Sequence, residues 1–284
     1  MATGGSIKGL IDGPVLVLGA GKMGGAILRC WLESSEKTLD LDLSQIYVVD
    51  PDPSASMLEL LQRYGISCTK DIELKVAPAL VLLGIKPQIM DDVLARIGPK
   101  LDRDSLIFSI VAGKTIKAGE LLLPPNTAFV RAMPNTPVLE QAGMTVMVAN
   151  AHVSTLQKKL LEHLIGVTGE TAWLDDEVLM DSVTAISGSG PAYLFHLAEC
   201  LSEAGEKEGL SSDFALRLAR QTIFGAGVLL NASDELPAVL RENVTSKGGT
   251  TAAGLSVLMD DDRLRALIAA TVCAARQRSK ELGD

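Results

Sequence analysis

The chain has 284 residues, of which 47% are apolar and only 21% charged, with a net charge of −9. Two domains are expected from that length, and an intrinsically disordered chain is excluded by that composition. The acidic balance lacks the basic footprint that nucleic acid or an anionic membrane requires, so neither is expected as a partner.

Any anionic ligand must then be held locally, by backbone N–H groups and a few placed cations. Aromatics are only 4% of the chain, so the core is aliphatic. The apolar content exceeds what two modest domains usually hide and points to a subunit interface.

Residues 1–13 read as a small, Gly-rich, frayed leader without the basic and apolar regions of a secretory signal. From Val15 apolar strands alternate with helical segments. Strands are expected at 15–18, 45–49, 79–85, 105–110, 128–131, 145–149 and 170–174. Helices are expected at 24–34, 54–64, 88–97 and 155–165. Such alternation predicts an α/β fold with a doubly wound sheet. Beyond 175 the strand signal ends, and 191–207, 213–231, 252–259 and 263–281 have helical spacing. The division is therefore 1–175 and 176–284. Cys30, Cys68, Cys200 and Cys273 fit no zinc-ligand spacing and are expected as buried, reduced thiols. The uncharged stretches 141–157 and 182–198 carry polar residues, so neither reads as a membrane span. A soluble cytoplasmic protein without a metal site is the expectation.

Gly19, Ala20, Gly21, Lys22, Met23 and Gly24 form G-x-G-x-x-G, directly after a strand and before a helix. In that context the first Gly permits a tight turn and the second lets the backbone approach a pyrophosphate. The third permits close helix–strand packing. The helix start offers free N–H groups to phosphates. A tight β–α turn without ligand would use the same residues. Asp50 ends the second strand, where a carboxylate accepts from the ribose 2′-OH of NAD and repels the 2′-phosphate of NADP. It also serves as a plain turn residue before Pro51. Lys86 and Pro87 end the third strand, and Ala112 and Gly113 follow the fourth, where small residues let the backbone approach a nicotinamide or its ribose.

The segment 131–137, RAMPNTP, is a stiff polar loop at a strand end, bracketed by Pro134 and Pro137 around Asn135 and Thr136. Such loops are good active-site material, although a turn that redirects the chain has the same composition. Ser187–Pro191 has the composition of a regular helix cap, which capping alone would explain; the functional reading is that this positive helix end faces a substrate. In 245–251 Gly248 and Gly249 let the backbone wrap a small ligand. Thr250 and Thr251 can cap the next helix, whose free N–H groups bind a carboxylate without arginine.

His196 lies among apolar neighbours and is expected to be packed. No Ser-His-Asp or metal constellation is apparent. No lysine lies between Glu177 and Glu206, so the second-domain lysine base of a hydroxyacid dehydrogenase has no candidate. A dinucleotide, a carboxylate cradle and no strong base point to hydride transfer onto an already electrophilic carbon, for which a protonated imine qualifies.

With GAGKMGGAIL at 19–28, IKPQ at 85–88, RAMPNTP at 131–137, SGSGPAY at 187–193 and SKGGTT at 246–251, the chain resembles the pyrroline-5-carboxylate reductases over about residues 14–281. The resemblance implies a Rossmann domain followed by an all-helical dimerisation and substrate domain. It implies a homodimer through the C-terminal helices and leaves a larger ring of dimers open. The implied reaction is reduction of L-Δ1-pyrroline-5-carboxylate to L-proline by NADH or NADPH, the last step of proline biosynthesis. Cofactor contacts are implied for Gly19, Ala20, Gly21, Lys22, Met23, Gly24, Lys86, Pro87, Ala112 and Gly113, with Pro134 and Asn135 beside the nicotinamide. Substrate contacts are implied for Asn243, Val244, Ser246, Gly248, Gly249, Thr250 and Thr251. Thr251 matches the hydroxyl that hydrogen-bonds the ring nitrogen. The loop 246–251 is expected from the dimer partner. Three positions depart from the common pattern. Lys22 replaces Asn and adds charge near the phosphates. Lys247 replaces Pro and either frees the loop or sits over the carboxylate. Asp50 replaces Ser or Thr, which favours NADH.

Two other readings stay open. A general imine reductase or hydroxyacid dehydrogenase-like enzyme would accept substrates without this carboxylate. A non-catalytic dinucleotide-sensing protein would bind cofactor without turnover.

Overall fold

Short apolar runs build the first part of the molecule. The computed structural model describes residues 11, 13–35, 38–39, 41–72 and 75–283; of the leader at 1–13, only Ile11 and Gly13 are among them. The strands are β1 (Val15–Leu18), β2 (Ile46–Val49), β3 (Cys68–Thr69), β4 (Leu80–Leu83), β5 (Leu106–Ser109), β6 (Ala128–Met133), β7 (Gly143–Ala149) and β8 (Gly169–Leu174). They form one sheet in the order β3-β2-β1-β4-β5-β6-β7-β8. Every neighbouring pair is parallel except β6 and β7.

The apolar runs lack polar alternation because both sheet faces are covered. In β1, β4 and β5 all four residues are buried. Successive side chains point to opposite faces, which splits the core in two. Val15, Val17, Leu80, Leu82 and Phe108 join one cluster with Ile27, Trp31 and Leu161. Leu16, Leu18, Val81, Leu83 and Ile107 join the other with Met90, Leu94 and Phe129. Helices α1 (Lys22–Ser35), α2 (Ala55–Arg63), α3 (Met90–Ile97), α4 (Ile116–Glu120) and α5 (Thr155–Gly166) cover the sheet, α2 adding Met57 and Leu60 to the first cluster and α4 Ile116 to the second. Ser154 starts α5 with a capping box, exchanging hydrogen bonds with Gln157, a pairing that satisfies two otherwise orphaned amides. Trp31 is fully buried and its Nε1 donates to the Leu164 carbonyl at 2.8 Å. Trp31→Ala is expected to cost about 3–5 kcal/mol, read as the loss of unfolding free energy in a denaturant titration.

The remaining elements are helical: α6 (Met180–Val183), α7 (Gly190–Lys207), α8 (Ser212–Ala232), α9 (Pro237–Asn243), α10 (Thr250–Met259) and α11 (Arg263–Gly283). The chain forms two compact units, one running to Gly188 and including residues from Arg276 onward, the other Ser189–Ala275. The strand signal ends at Leu174, but the first unit continues because Met180 is buried in the sheet core. Near the chain end, the Ser279 hydroxyl donates to Asp181 Oδ1 at 2.7 Å in the same unit.

In the helical unit α7 and α8 pack on each other, with Ala215 and Ala219 buried. Many large apolar side chains stay exposed, Phe195 at 64%, Phe224 at 66% and Leu267 at 64%. Two expectations are corrected here. Cys200 and Cys273 are exposed, and Cys68 is half-buried, so burial holds only for Cys30. His196 is also exposed, with Nδ1 2.9 Å from Glu199. Cys200, Cys273 and His196 lie on α7 and α11, whose apolar side chains are largely uncovered in the single chain. At Cys30 burial pushes the thiol up, and its Sγ donates to the Val138 carbonyl at 3.2 Å. Among the described residues no helix is long and apolar enough to cross a membrane.

Candidate functional site

Parallel register places the carboxyl ends of five strands along one edge. Leu18 pairs with Val49 and Leu83, Leu83 with Ser109, and Ser109 with Arg131. The segments after these strands therefore lie side by side: 19–24, Asp50, 84–87, 110–115 and 134–137; residues 131–133, expected as part of the stiff loop, are still strand because they pair with β7. Strand order reverses between β1 and β4, the switch point where open α/β sheets bind ligands.

At that point the first turn is built from interlocking backbone. Gly19 has φ +90°, a value that side-chain-bearing residues rarely adopt. Its N–H donates to the Val49 carbonyl at 2.9 Å, and the Gly84 N–H to the Leu18 carbonyl at 2.8 Å. A Cβ at Gly24 would strike the Gly19 carbonyl oxygen, and one at Gly84 would come within 2.9 Å of it. Above Gly21, by contrast, a Cβ would meet nothing within 4 Å. That open space adjoins the first turn of α1, whose leading N–H groups have no intrahelical partner. The pair of features fits the pyrophosphate of a dinucleotide. Lys22 is exposed at the start of α1, and Met23 behind it is half-buried.

Asp50 turns out to brace this loop. Its Oδ2 accepts the Ala20 N–H at 2.7 Å and its Oδ1 the Asp52 N–H at 2.9 Å. A carboxylate offers about four acceptor sites, so two remain for a ribose hydroxyl. Lys86 is exposed just before a 3-10 turn that Pro87 opens. Ala112 is exposed, and Gly113 has φ +74°. A Cβ there would come within 2.9 Å of the Leu282 carbonyl, so the end of α11 lies against this turn.

The RAMPNTP loop is held from beneath. Pro134 is buried. Asn135 Oδ1 accepts the Met144 N–H at 2.8 Å, while its Nδ2 donates to the Ser187 carbonyl at 3.2 Å and lies 3.3 Å from its hydroxyl. Asn135 thus fixes the loop to a π turn, Thr184–Gly188. Met133 packs so closely on Gly188 that a Cβ there would collide with it. The expected cap at 187–191 is corrected: Ser189 precedes α7 in helical conformation without a side-chain cap, because the π turn runs straight into that helix. Single-turn π segments are frequent at functional sites.

In the helical unit, Asn243 ends α9 and its Nδ2 donates to Glu235 Oε2 at 3.1 Å. Val244, Ser246, Gly248, Thr250 and Thr251 are exposed, and Gly249 is half-buried. Gly249 is the N-cap of α10 and makes no side-chain hydrogen bond. Thr250 and Thr251 are therefore not caps but the first two helical residues, a further correction. Ser246 crowds Gly249, and any Cβ there would collide with the Ser246 hydroxyl. The first-turn N–H groups of α10 are thus left without a side-chain acceptor, as a carboxylate cradle needs.

Three bracing roles were not read from the sequence: Gly84 under the glycine turn, Ser187 under Asn135, and Glu177, which receives both Arg131 and Ile116. Only Gly84 had a local cue, as the small residue ending a strand beside the glycine motif. The other two act across long sequence separations.

A family model described as pyrroline-5-carboxylate reductase dimerisation matches residues 177–282. Another, described as NADP oxidoreductase coenzyme F420-dependent, matches residues 14–113. The pyrroline-5-carboxylate reductase of Pseudomonas aeruginosa is 36% identical over 95% of this chain and 97% of its own. The solved structure of a pyrroline-5-carboxylate reductase from Coxiella burnetii is 31% identical, covers 96% of this chain and 99% of its own, and gives a TM-score of 0.87. That of Plasmodium falciparum pyrroline carboxylate reductase, with NADP bound, is 28% identical, covers 96% of this chain and 99% of its own, and gives 0.80. Both halves of the sequence and the fold thus agree, and the chain belongs to the pyrroline-5-carboxylate reductase family.

Proposed function

We propose that the protein reduces the C=N bond of L-Δ1-pyrroline-5-carboxylate to give L-proline, closing proline biosynthesis. The observation that carries this reading is that one set of relatives matches nearly the whole chain, so the cofactor edge and the 246–251 loop belong to one matched sequence. A bound nicotinamide dinucleotide supplies the hydride. Gly19, Ala20, Gly21, Lys22, Met23 and Gly24 hold its pyrophosphate, and Asp50 its adenosine ribose. Lys86, Pro87, Ala112, Gly113, Pro134 and Asn135 border the nicotinamide side, the last two chiefly through backbone, since the Asn135 side chain is engaged elsewhere.

Amides of 248–251 grip the substrate carboxylate at the start of α10, with Asn243, Val244 and Ser246 shaping that loop. The Thr251 hydroxyl donates toward the ring nitrogen, which takes its proton through Thr251 or from solvent. Positioning carries most of the rate, because the imine carbon is already electrophilic and becomes more so once its nitrogen has taken that proton. We assign 1–175 to dinucleotide binding and 176–284 to dimerisation and substrate binding. The exposed apolar faces of α7, α8 and α11 support a homodimer through these helices. The free thiols support a reducing, cytoplasmic setting.

The Asp50 carboxylate favours NADH, against which the Lys22 charge works. Initial rates with both cofactors test this, alongside a pyrroline lacking the carboxylate. Higher kcat/KM with NADH and a poor rate on the truncated substrate are expected. An NADPH advantage would mean that Lys22 overrides Asp50. Equal rates with and without the carboxylate would favour a general imine reductase, and tight cofactor binding without turnover a dinucleotide sensor.

A further inference from the structure

Glu177 opens a 3-10 turn, Glu177–Leu179, after β8. One of its oxygens serves two donors. Oε1 accepts from Arg131 Nη1 at 2.8 Å and from the Ile116 N–H at 2.9 Å. The side chains of Arg131 and Glu177 are 10% and 25% exposed, so this is not a solvent-screened surface pair. Arg131 lies near the end of β6, two residues short of the 134–137 loop. Ile116 begins α4 and ends the turn that contains Ala112 and Gly113. Fixing both donors on one atom fixes the spacing between the two segments.

The carboxylate is itself anchored. Met180, three residues on, is buried in the sheet core, and Asp181 accepts the Ser279 hydroxyl. The turn containing Gly113 meets the end of α11, where a Cβ on Gly113 would come within 2.9 Å of the Leu282 carbonyl oxygen. Nothing in this arrangement needs a charged group for packing alone. A buried ion pair replaced by apolar residues is often no less stable.

We propose that Glu177 is a positioning residue for hydride transfer: through Arg131 and the Ile116 amide it sets the distance between the 112–115 turn and the end of β6 with the 134–137 loop, and so the seat of the nicotinamide ring. The inference rests on the proposed function, which assigns both segments to that ring.

Glu177→Gln keeps an acceptor oxygen and removes the charge, and Arg131→Met combined with Glu177→Gln removes both charges together. Both full-length variants are compared with the unsubstituted enzyme for kcat, KM, cofactor affinity, Tm and the deuterium isotope effect from dinucleotide deuterated at the transferred position. A drop in kcat of about tenfold to a hundredfold is expected. KM and cofactor affinity should stay within about twofold, and the isotope effect should rise because hydride transfer becomes the slow step. An unchanged kcat per folded molecule with an unchanged isotope effect overturns the proposal, as does a loss confined to KM or one that follows Tm. Failure of both variants to fold makes the role purely structural and overturns it too. If the unsubstituted protein itself does not turn over the pyrroline, it is the function reading that fails, and this role with it.

Discussion

Gly24→Ala is expected to abolish dinucleotide binding and to lower the stability of the sheet unit. The added methyl would strike the Gly19 carbonyl oxygen, a backbone atom at the end of β1 that Val49 and Gly84 hold in register. No flexible side chain is available to yield, so the turn or the start of α1 must shift. Overpacking of this kind costs about 1–3 kcal/mol and occasionally more. In a unit of this size about 3 kcal/mol lowers Tm by roughly 6–12 °C. Gly21→Ala is the matched contrast, since a Cβ there meets nothing within 4 Å. It should leave Tm unchanged while filling the space assigned to the pyrophosphate. Dinucleotide titration followed by fluorescence, with Tm measured on the same samples, separates the two effects. Normal affinity in Gly21→Ala would remove this turn from cofactor binding.

Thr251→Ala should lower kcat/KM by more than about tenfold, equivalent to about 1.4 kcal/mol of transition-state stabilisation. Thr251 is exposed at the second position of α10, and Gly249, not Thr251, is the N-cap. The substitution therefore leaves the helix start intact, and Tm should not move. Thr251→Ser restores the hydroxyl and should recover most of the rate. Steady-state kinetics on the three proteins decide the matter. Unchanged kinetics in Thr251→Ala would take the hydroxyl out of the reaction and leave only the α10 amides at the substrate.

The parts of the fold legible in the sequence are those with local causes. β1 and β4 were readable because four consecutive apolar residues can only be buried on both faces. The glycine turn was readable because its spacing sits between a strand and a helix. β3, with two residues, and α4, with five, are too short to show a period. β7 was expected as a strand at 145–149, but its antiparallel direction was hidden, because the chain reverses after β6 through a turn ending at Gln141, which has φ +55°. Nothing local distinguishes that turn from a crossover. The site followed the same rule. Gly19–Gly24, Asp50 and Gly113 could be placed on the sheet's carboxyl edge from their positions after strands. The role of Glu177 could not be read, because its partners Arg131 and Ile116 lie 46 and 61 residues away. Asn135 was read as bordering the ligand, yet its amide is spent on Ser187 and Met144. Such a polar residue in a proline-bracketed loop can face inward or outward, and only tertiary contacts decide. The exposure of Cys200, Cys273 and His196 has the opposite origin: helical periodicity cannot tell a core face from one that the single chain leaves uncovered.

The reaction proposed for this site is hydride transfer onto the imine carbon of a cyclic substrate held by its carboxylate. Its most direct test is to supply L-Δ1-pyrroline-5-carboxylate with NADH or NADPH deuterated at the hydride-donor position and to analyse the product by NMR and mass spectrometry. Proline carrying a single deuterium at the former imine carbon, formed in step with cofactor oxidation, is expected. Proline without the label, or cofactor that is bound but never oxidised, would contradict it.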